Sequence, residues 1–238
     1  MAKPRPWIEA SHGPLTALAE GLWHVDATLD MIPIGRRMVV ARAADGSLAV
    51  HSAVCCDPAT MTAIDALGPV RWIVVPSGHH RMDAPPWKAR YPDARVVAMA
   101  ASQVRVAQVV AVDGDYGLLP AGGALSWQAL DGVPAEAVLL HRGPDGAVTV
   151  VFNDAFMNLP DRIPGFRGFI VKLIGSTGGP KVTRTACWFI VKDRAAYAAH
   201  LRRLAELPGL ARLVPGHGAV VTDDAAGTLR RVADRLHR

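Results

Sequence analysis

The run Val70–Val75 (Val-Arg-Trp-Ile-Val-Val), ended by Pro76-Ser77-Gly78, constrains the fold of this chain more than any other feature. A short β-branched run cut off by turn residues reads as a strand, and the stretches on both sides of it read as helix. Upstream, Asp57 followed by Pro58 has the form of an N-cap with proline in the first turn. Met61, Ile64 and Leu67 keep helical spacing, and Gly68 stops the run. Downstream, the segment to Tyr91 reads as helical until Pro92-Asp93-Ala94 turns the chain into a strand over Arg95–Ala98. Gly21–Val25, Met38–Arg42 and Leu48–Ser52 read as earlier strands, the last two joined as a hairpin through Ala44-Asp45-Gly46.

The second half is written in the same style. Val138–Leu140, Ala147–Phe152 and Ala186–Ile190 read as strands, with Gly143-Pro144-Asp145-Gly146 turning between the first two. Ala195–Leu207 reads as a helix, Ala211–Val214 as a last short strand, and a terminal helix starts at Asp223 or Asp224 and runs to Leu236. Between Leu159 and Pro180 the chain is Gly- and Pro-rich with apolar patches, which reads as a functional loop over a site. Strands and helices mixed in both halves imply an α/β protein with helices covering packed sheets. With no repeat, low-complexity segment or long linker, the expectation is one domain over residues 1–238, with an N-terminal extension of about residues 1–18.

Of the 238 residues 50% are hydrophobic and 20% are charged, which excludes a disordered or fibrous chain. Lys and Arg exceed Asp and Glu by 26 − 21 = 5, but the arginines are scattered. The excess therefore reads as solubility, and a nucleic-acid-binding or nuclease role would rest on that charge alone. Apolar stretches such as Ala135–Leu140 and Phe169–Ile174 fall far short of the roughly 20 residues a bilayer demands, so no membrane association is expected. Cys55 and Cys56 are adjacent and Cys187 is remote, a pattern unsuited to a disulfide framework. That usage, and prolines where a signal peptide needs an apolar run, point to a cytoplasmic protein.

Four polar points stand where an expected strand empties into a loop: His79-His80, His141, Asp154 and His217. Imidazole and carboxylate are natural ligands for zinc or a similar borderline metal, and ligands from several strand ends converge readily at one rim of a sheet. Each also has a plainer reading: a ring packed against the following helix, a strand-end aspartate accepting backbone N–H groups, a tight Pro-Gly-His-Gly turn. Cys55-Cys56 reads as a pair of small buried hydrophobes. Gly175–Gly179 lacks the Gly-Lys-Ser/Thr of a phosphate cradle and reads as a loop. Lys181, Arg184 and Arg167 near it are surface cations by default, with an anionic substrate as the functional alternative. No Gly-x-Ser-x-Gly elbow supports a serine hydrolase.

Val-Pro-Ser-Gly-His79-His80-Arg-Met-Asp83, Ala-Arg-Tyr91-Pro92-Asp-Ala-Arg-Val, Val-Phe-Asn-Asp154 and Val-Pro-Gly-His217-Gly together resemble the metallo-β-lactamase superfamily, over roughly residues 20 to 220. The resemblance is closer to a bacterial branch with a His-His form of the His-x-His-x-Asp-His motif, and it implies a four-layer αββα sandwich. Matched residue by residue, His80 takes the place of the motif's last histidine and His79 that of its aspartate. Val75 and Ser77 fall on its first two histidines. Asp154 matches the bridging aspartate and His217 the final histidine, with His141 near the middle one. The resemblance implies a single ion, zinc with iron or manganese as alternatives. His80, Asp154 and His217 would hold it, and His79 or Asp83 would complete the shell or act as general base. The implied function is a metal-dependent hydrolase acting on an ester, thioester, amide or phosphodiester of a small molecule. The alternative is a degenerate, non-catalytic binding module of the same fold.

Overall fold

The computed structural model describes residues 5–29, 33–120 and 122–236 and divides the chain into two compact units. One comprises Met1–Thr28 and Arg37–Trp127, the other Leu29–Arg36 and Gln128–Arg238. Residues 1–4 of the expected N-terminal extension lie outside the described residues.

The first unit is a six-stranded sheet with helices. In chain order it runs β1 (Thr16–Ala19), β2 (Leu22–Ala27), β3 (Arg36–Arg42), β4 (Leu48–His51), α1 (Pro58–Leu67), β5 (Val70–Val75), α2 (Ala84–Arg90), β6 (Arg95–Ala98) and α3 (Ala100–Val106). The strands lie in sequence order, with β3 and β4 antiparallel and β4, β5 and β6 parallel. The hairpin turn is made by Asp45, whose carboxylate accepts from the Ser47 N–H at 3.0 Å. Helix α1 starts where Asp57 Oδ1 accepts from the Thr60 N–H at 2.7 Å and ends at Gly68, whose φ of +151° suits only glycine.

Side-chain alternation gives this sheet two apolar faces. Val50, Ile73, Val75 and Val96 join the cluster that contains Met61, Ile64 and Trp87 of the helices, while Ala49, Val74 and Val97 pack with Leu119, Tyr116 and Trp127. Trp87 is fully buried and still satisfied, its indole N–H donating to the Val54 carbonyl at 3.0 Å. The segment expected as an N-terminal extension is built into this unit. Trp7 donates to the Cys56 carbonyl at 3.0 Å, and the Ala10 N–H to the Cys55 carbonyl at 2.9 Å. Cys55 and Cys56 are buried free thiols, as expected of small hydrophobes.

The second unit carries the latter half of β7 (Leu125–Leu130), then β8 (Val133–Arg142), β9 (Val148–Val151), β10 (Met157–Leu159), α4 (Gly165–Leu173), β11 (Gly179–Lys181), α5 (Arg184–Phe189), α6 (Arg194–Ala205), β12 (Leu210–Val214) and α7 (Ala225–Leu236). Its main sheet has the order β12-β9-β8-β7, with β12 parallel and β8 antiparallel to β9. Val138, Val148, Val150 and Leu213 from the strands pack with Tyr197, Leu201, Leu229 and Val232 from α6 and α7. Each unit is thus a sheet with helices on one face, an αβ half of the kind a four-layer sandwich requires.

Two expectations change here. Ala186–Ile190 is not a strand: Thr183 caps a helix by accepting from the Ala186 N–H at 3.1 Å, and α5 follows. The Leu159–Pro180 stretch is not one loop, because it contains α4 and the small β10–β11 ladder. No helix among the described residues is long and apolar enough to cross a membrane.

In the first unit, Arg37 on β3 is buried and grips Asp26 on β2 through Nε at 2.6 Å and Nη2 at 2.9 Å. Burial opposes ionisation of Asp26, but hydrogen bonds from His24 and Arg37 outweigh it and hold its pKa at about 2 against an ordinary 3.8. A depressed folded-state value means the unfolded chain takes up the proton first, so this support is complete above about pH 4 and lost as pH falls toward 2. Urea midpoints measured across that window should fall with pH in the wild type and fall less steeply in Asp26→Asn.

Candidate metal centre

Parallel strands that pair side by side empty on the same side of a sheet. In the second unit Val214 of β12 pairs with Val151 of β9, so the loops after both strands emerge together, carrying His217 and Asp154. Gly216 lets the two loops touch, since a Cβ there would come 3.1 Å from Asn153 Cα. Gly218 at φ +91° lets the turn pass the Asn158 backbone, where a Cβ would strike the Asn158 carbonyl. The outcome is a buried pair, His217 Nε2 standing 3.0 Å from Asp154 Oδ1 with the two side chains 5% and 8% exposed.

The other ring nitrogen of His217 is committed, because Nδ1 lies 2.5 Å from the Gly35 carbonyl oxygen. A carbonyl can only accept, so Nδ1 carries the proton and donates. In the neutral ring Nε2 then presents a lone pair to a carboxylate. Two acceptors facing each other in a buried place need either a shared proton or a metal ion between them, and a ring N–H held by a backbone carbonyl is the usual posture of a metal-bound histidine.

The loop holding Asp154 is itself anchored by a residue that the sequence reading missed. Glu136 on β8, 1% exposed, accepts from the Ala155 N–H at 2.9 Å and from the Asn153 amide at 3.3 Å. Burial first, and the Asp154 carboxylate second, push the Glu136 carboxyl well above the usual carboxylate range. On the other side of the same residue, the buried Tyr197 hydroxyl of α6 donates to the Ala155 carbonyl at 3.1 Å. A single acid in the apolar run from Val133 to Leu140 is the signal that marks Glu136 in the sequence.

In the first unit β4 and β5 form a parallel pair, with His51 opposite Val74, and the loops after them bring Ser52 to His80. Ser52 Oγ lies 2.8 Å from His80 Nδ1, and Ser52 is a non-glycine residue at φ 57°. Strain of that kind is typical of positions that orient a functional group. In the tautomer where Nδ1–H donates to the hydroxyl, Nε2 of His80 carries the lone pair that a metal would take. The neighbouring His79 is exposed, its Nε2 3.2 Å from Arg105 Nη1, and Asp83 Oδ2 accepts from the Cys55 N–H at 3.2 Å.

His141 is placed differently from the sequence expectation. Strand β8 does not end at Leu140 but runs through Arg142, so His141 sits inside the ladder opposite Thr149 of β9. Five residues of strand, about 17 Å, separate it from the Glu136 end where Asp154 emerges.

No family model matches the chain, and no curated protein matches it in sequence. Solved structures match it well along nearly its whole length. The metallo-β-lactamase FIM-1 from Pseudomonas aeruginosa, in a mono-zinc form, superposes with a TM-score of 0.62 at 14% identity, covering 95% of this chain and 96% of that one. The structure of VMB-1 does so at 0.60 and 10% identity, covering 97% and 100%. A metallo-β-lactamase from Hirschia baltica gives 0.60 and 7% identity, covering 94% and 98%. The chain has the metallo-β-lactamase fold. At such identities the likeness speaks for the fold alone, and the chemistry has to be argued from the residues.

On this metallo-β-lactamase fold the Asp154 loop depends on Glu136, which can be tested directly. Glu136→Ala strands a buried amide and a buried backbone N–H, each costing about 1–3 kcal/mol. Glu136→Gln keeps an acceptor carbonyl and should cost less than half as much in equilibrium urea unfolding.

Proposed function

We propose that this protein is a metal-dependent hydrolase whose ion, zinc in the first instance with iron or manganese as alternatives, is held singly by His80, Asp154 and His217. The observation that carries the reading is the buried Asp154–His217 pair, with Nδ1–H fixed on Gly35 and two lone-pair atoms 3.0 Å apart. A protein of this fold, FIM-1, has been solved in a mono-zinc form, which supports reading a single ion here. Three protein ligands leave a coordination position open, and an ion bound that way supplies hydroxide at neutral pH and polarises a carbonyl or phosphoryl oxygen.

The remaining work falls to the chain. Ser52 sets the ring plane of His80, the Gly35 carbonyl sets the ring plane and tautomer of His217, and Glu136 with Tyr197 fixes the loop that presents Asp154. The substrate class is a small molecule with an ester, thioester, amide or phosphodiester bond. Three free cysteines fit a reducing cytoplasm. His79 and Asp83, engaged with Arg105 and the Cys55 N–H, are left out of the ligand set. One observation favours a non-catalytic module instead: Val75 and Ser77, where the superfamily motif has two histidines, are both buried at 1% and 4% exposure.

Elemental analysis and paired thermal melts, in chelator and in zinc, separate the two readings. The hydrolase reading expects about one equivalent of metal and a zinc-dependent rise in Tm, because an ion present at 100 times its Kd stabilises the folded state by about 2.7 kcal/mol. Asp154→Ala should abolish both, together with turnover of generic ester and phosphodiester substrates. Ser52→Ala should keep the fold and weaken zinc binding by about 10- to 100-fold, as loss of a ligand-orienting hydrogen bond does. Metal-free protein with identical melts in both conditions would leave the binding module.

A further inference from the structure

A second cavity, of about 510 Å³, opens within the second unit between β11, α5 and the end of α7. Its lining contains none of the residues assigned to the metal. Four of its residues are cationic: Lys181, Arg184, Arg194 and Arg235. Beside them stand Trp188, 60% exposed, and the apolar side chains of Val232 and Leu236.

The charge there is unbalanced. Three other arginines of this unit are ion-paired, Arg202 to Asp234 at 2.8 Å, Arg230 to Glu206 at 2.9 Å and Arg231 to Asp224 at 2.8 Å. Among the described residues none of the four cavity cations forms an ion pair within 4.0 Å. The Lys181 ammonium donates to the Thr177 carbonyl, and its pKa is lowered by burial first and then by Arg235, with Arg184 adding to this and Asp161 acting in the other direction. Four like charges around one concavity raise a positive potential there that attracts an anion. Arginine guanidinium groups match phosphate oxygens in geometry as well as charge, and an exposed indole face accepts a flat ring.

We propose that this cavity is a binding site for a small organic polyphosphate, with a nucleoside diphosphate as the simplest ligand. The phosphates lie on Lys181, Arg184, Arg194 and Arg235, and the base lies against Trp188. The volume falls in the range of about 300–1,000 Å³ usual for small-molecule sites. The cavity lies in the chain region where the sequence shows Lys181 and Arg184 beside a Gly-rich loop, and the fold adds Arg194 and Arg235 from α6 and α7.

Titration calorimetry of the full chain with ADP, inorganic pyrophosphate and adenosine tests this, with EDTA present throughout so that no phosphate can be held by a metal. ADP should bind in the micromolar range, pyrophosphate more weakly and adenosine at least about 100-fold more weakly than ADP, since charge-assisted bonds carry the affinity. Arg184→Gln and Arg235→Gln should each weaken ADP about tenfold, the equivalent of 1.4 kcal/mol, while Arg71→Gln, an exposed cation in the first unit, should leave it unchanged. Raising salt from about 50 to about 300 mM should weaken binding further by screening. Circular dichroism confirms the fold of each variant, and if one fails to fold the other carries the test. No ADP binding below millimolar, or binding indifferent to both arginines, would overturn the proposal. So would capture by phosphatidylglycerol vesicles without competition from ADP. Because metal is absent from every arm, failure here leaves the hydrolase reading standing, and loss of that reading leaves this one.

Discussion

The parallel pairing of β9 with β12 is the constraint on which the candidate chemistry of the second unit depends. Antiparallel neighbours would send their following loops to opposite ends of the sheet, whereas Val151 beside Val214 sends both to one end. That delivers Asp154 and His217 as a pair although 63 positions separate them in sequence. Everything that refines the pair serves the same junction. Gly216 and Gly218 remove side chains where loop backbones meet, and Glu136 and Tyr197 hold the two faces of Ala155. The first unit repeats the device on a smaller scale, since the parallel β4 and β5 put Ser52 next to His80.

Where local chemistry decides the structure, the sequence was readable. Val70–Val75, Arg95–Ala98 and the helix from Pro58 to Gly68 fall where β-branching, an aspartate cap and a glycine stop put them. The reading fails where local and tertiary preferences conflict. Ala-Cys-Trp-Phe-Ile looks like a strand by its aromatic and β-branched content, but Thr183 caps a helix there, leaving Trp188 and Phe189 mostly exposed. Helix α4 was hidden for a related reason: Gly165, at φ +80°, and Gly168 read as loop residues, and its apolar Phe166, Phe169 and Leu173 are exposed rather than marking a core face.

The candidate site divides in the same way. His80, Asp154 and His217 were visible because each comes after a strand, a property of order along the chain. Glu136 was invisible because its role depends on register: opposite Leu139 stands Val151, and only that alignment carries the acid three residues further to the Asp154 turn. The same register moves His141 away, opposite Thr149 and deep in the ladder. Residue type alone favoured the histidine over the glutamate, and strand pairing reversed the choice.

What distinguishes the Asp154–His217 pair from an ordinary buried hydrogen bond is the proton count. An aspartate beside a histidine whose Nε2 is protonated satisfies both groups and requires nothing else. Here the Gly35 carbonyl takes the Nδ1 proton, so Nε2 becomes a donor to Asp154 only if the ring gains a second proton and a full positive charge. A pair 5% and 8% exposed must therefore share a proton, as imidazolium with carboxylate or imidazole with carboxylic acid, or hold a metal ion between its lone pairs, and the Glu136 carboxyl, pushed up by burial and by Asp154, makes it a place where unbalanced negative charge is already resisted. A divalent ion would neutralise more of that charge than one proton does, which is the physical ground for the metal proposed at this pair.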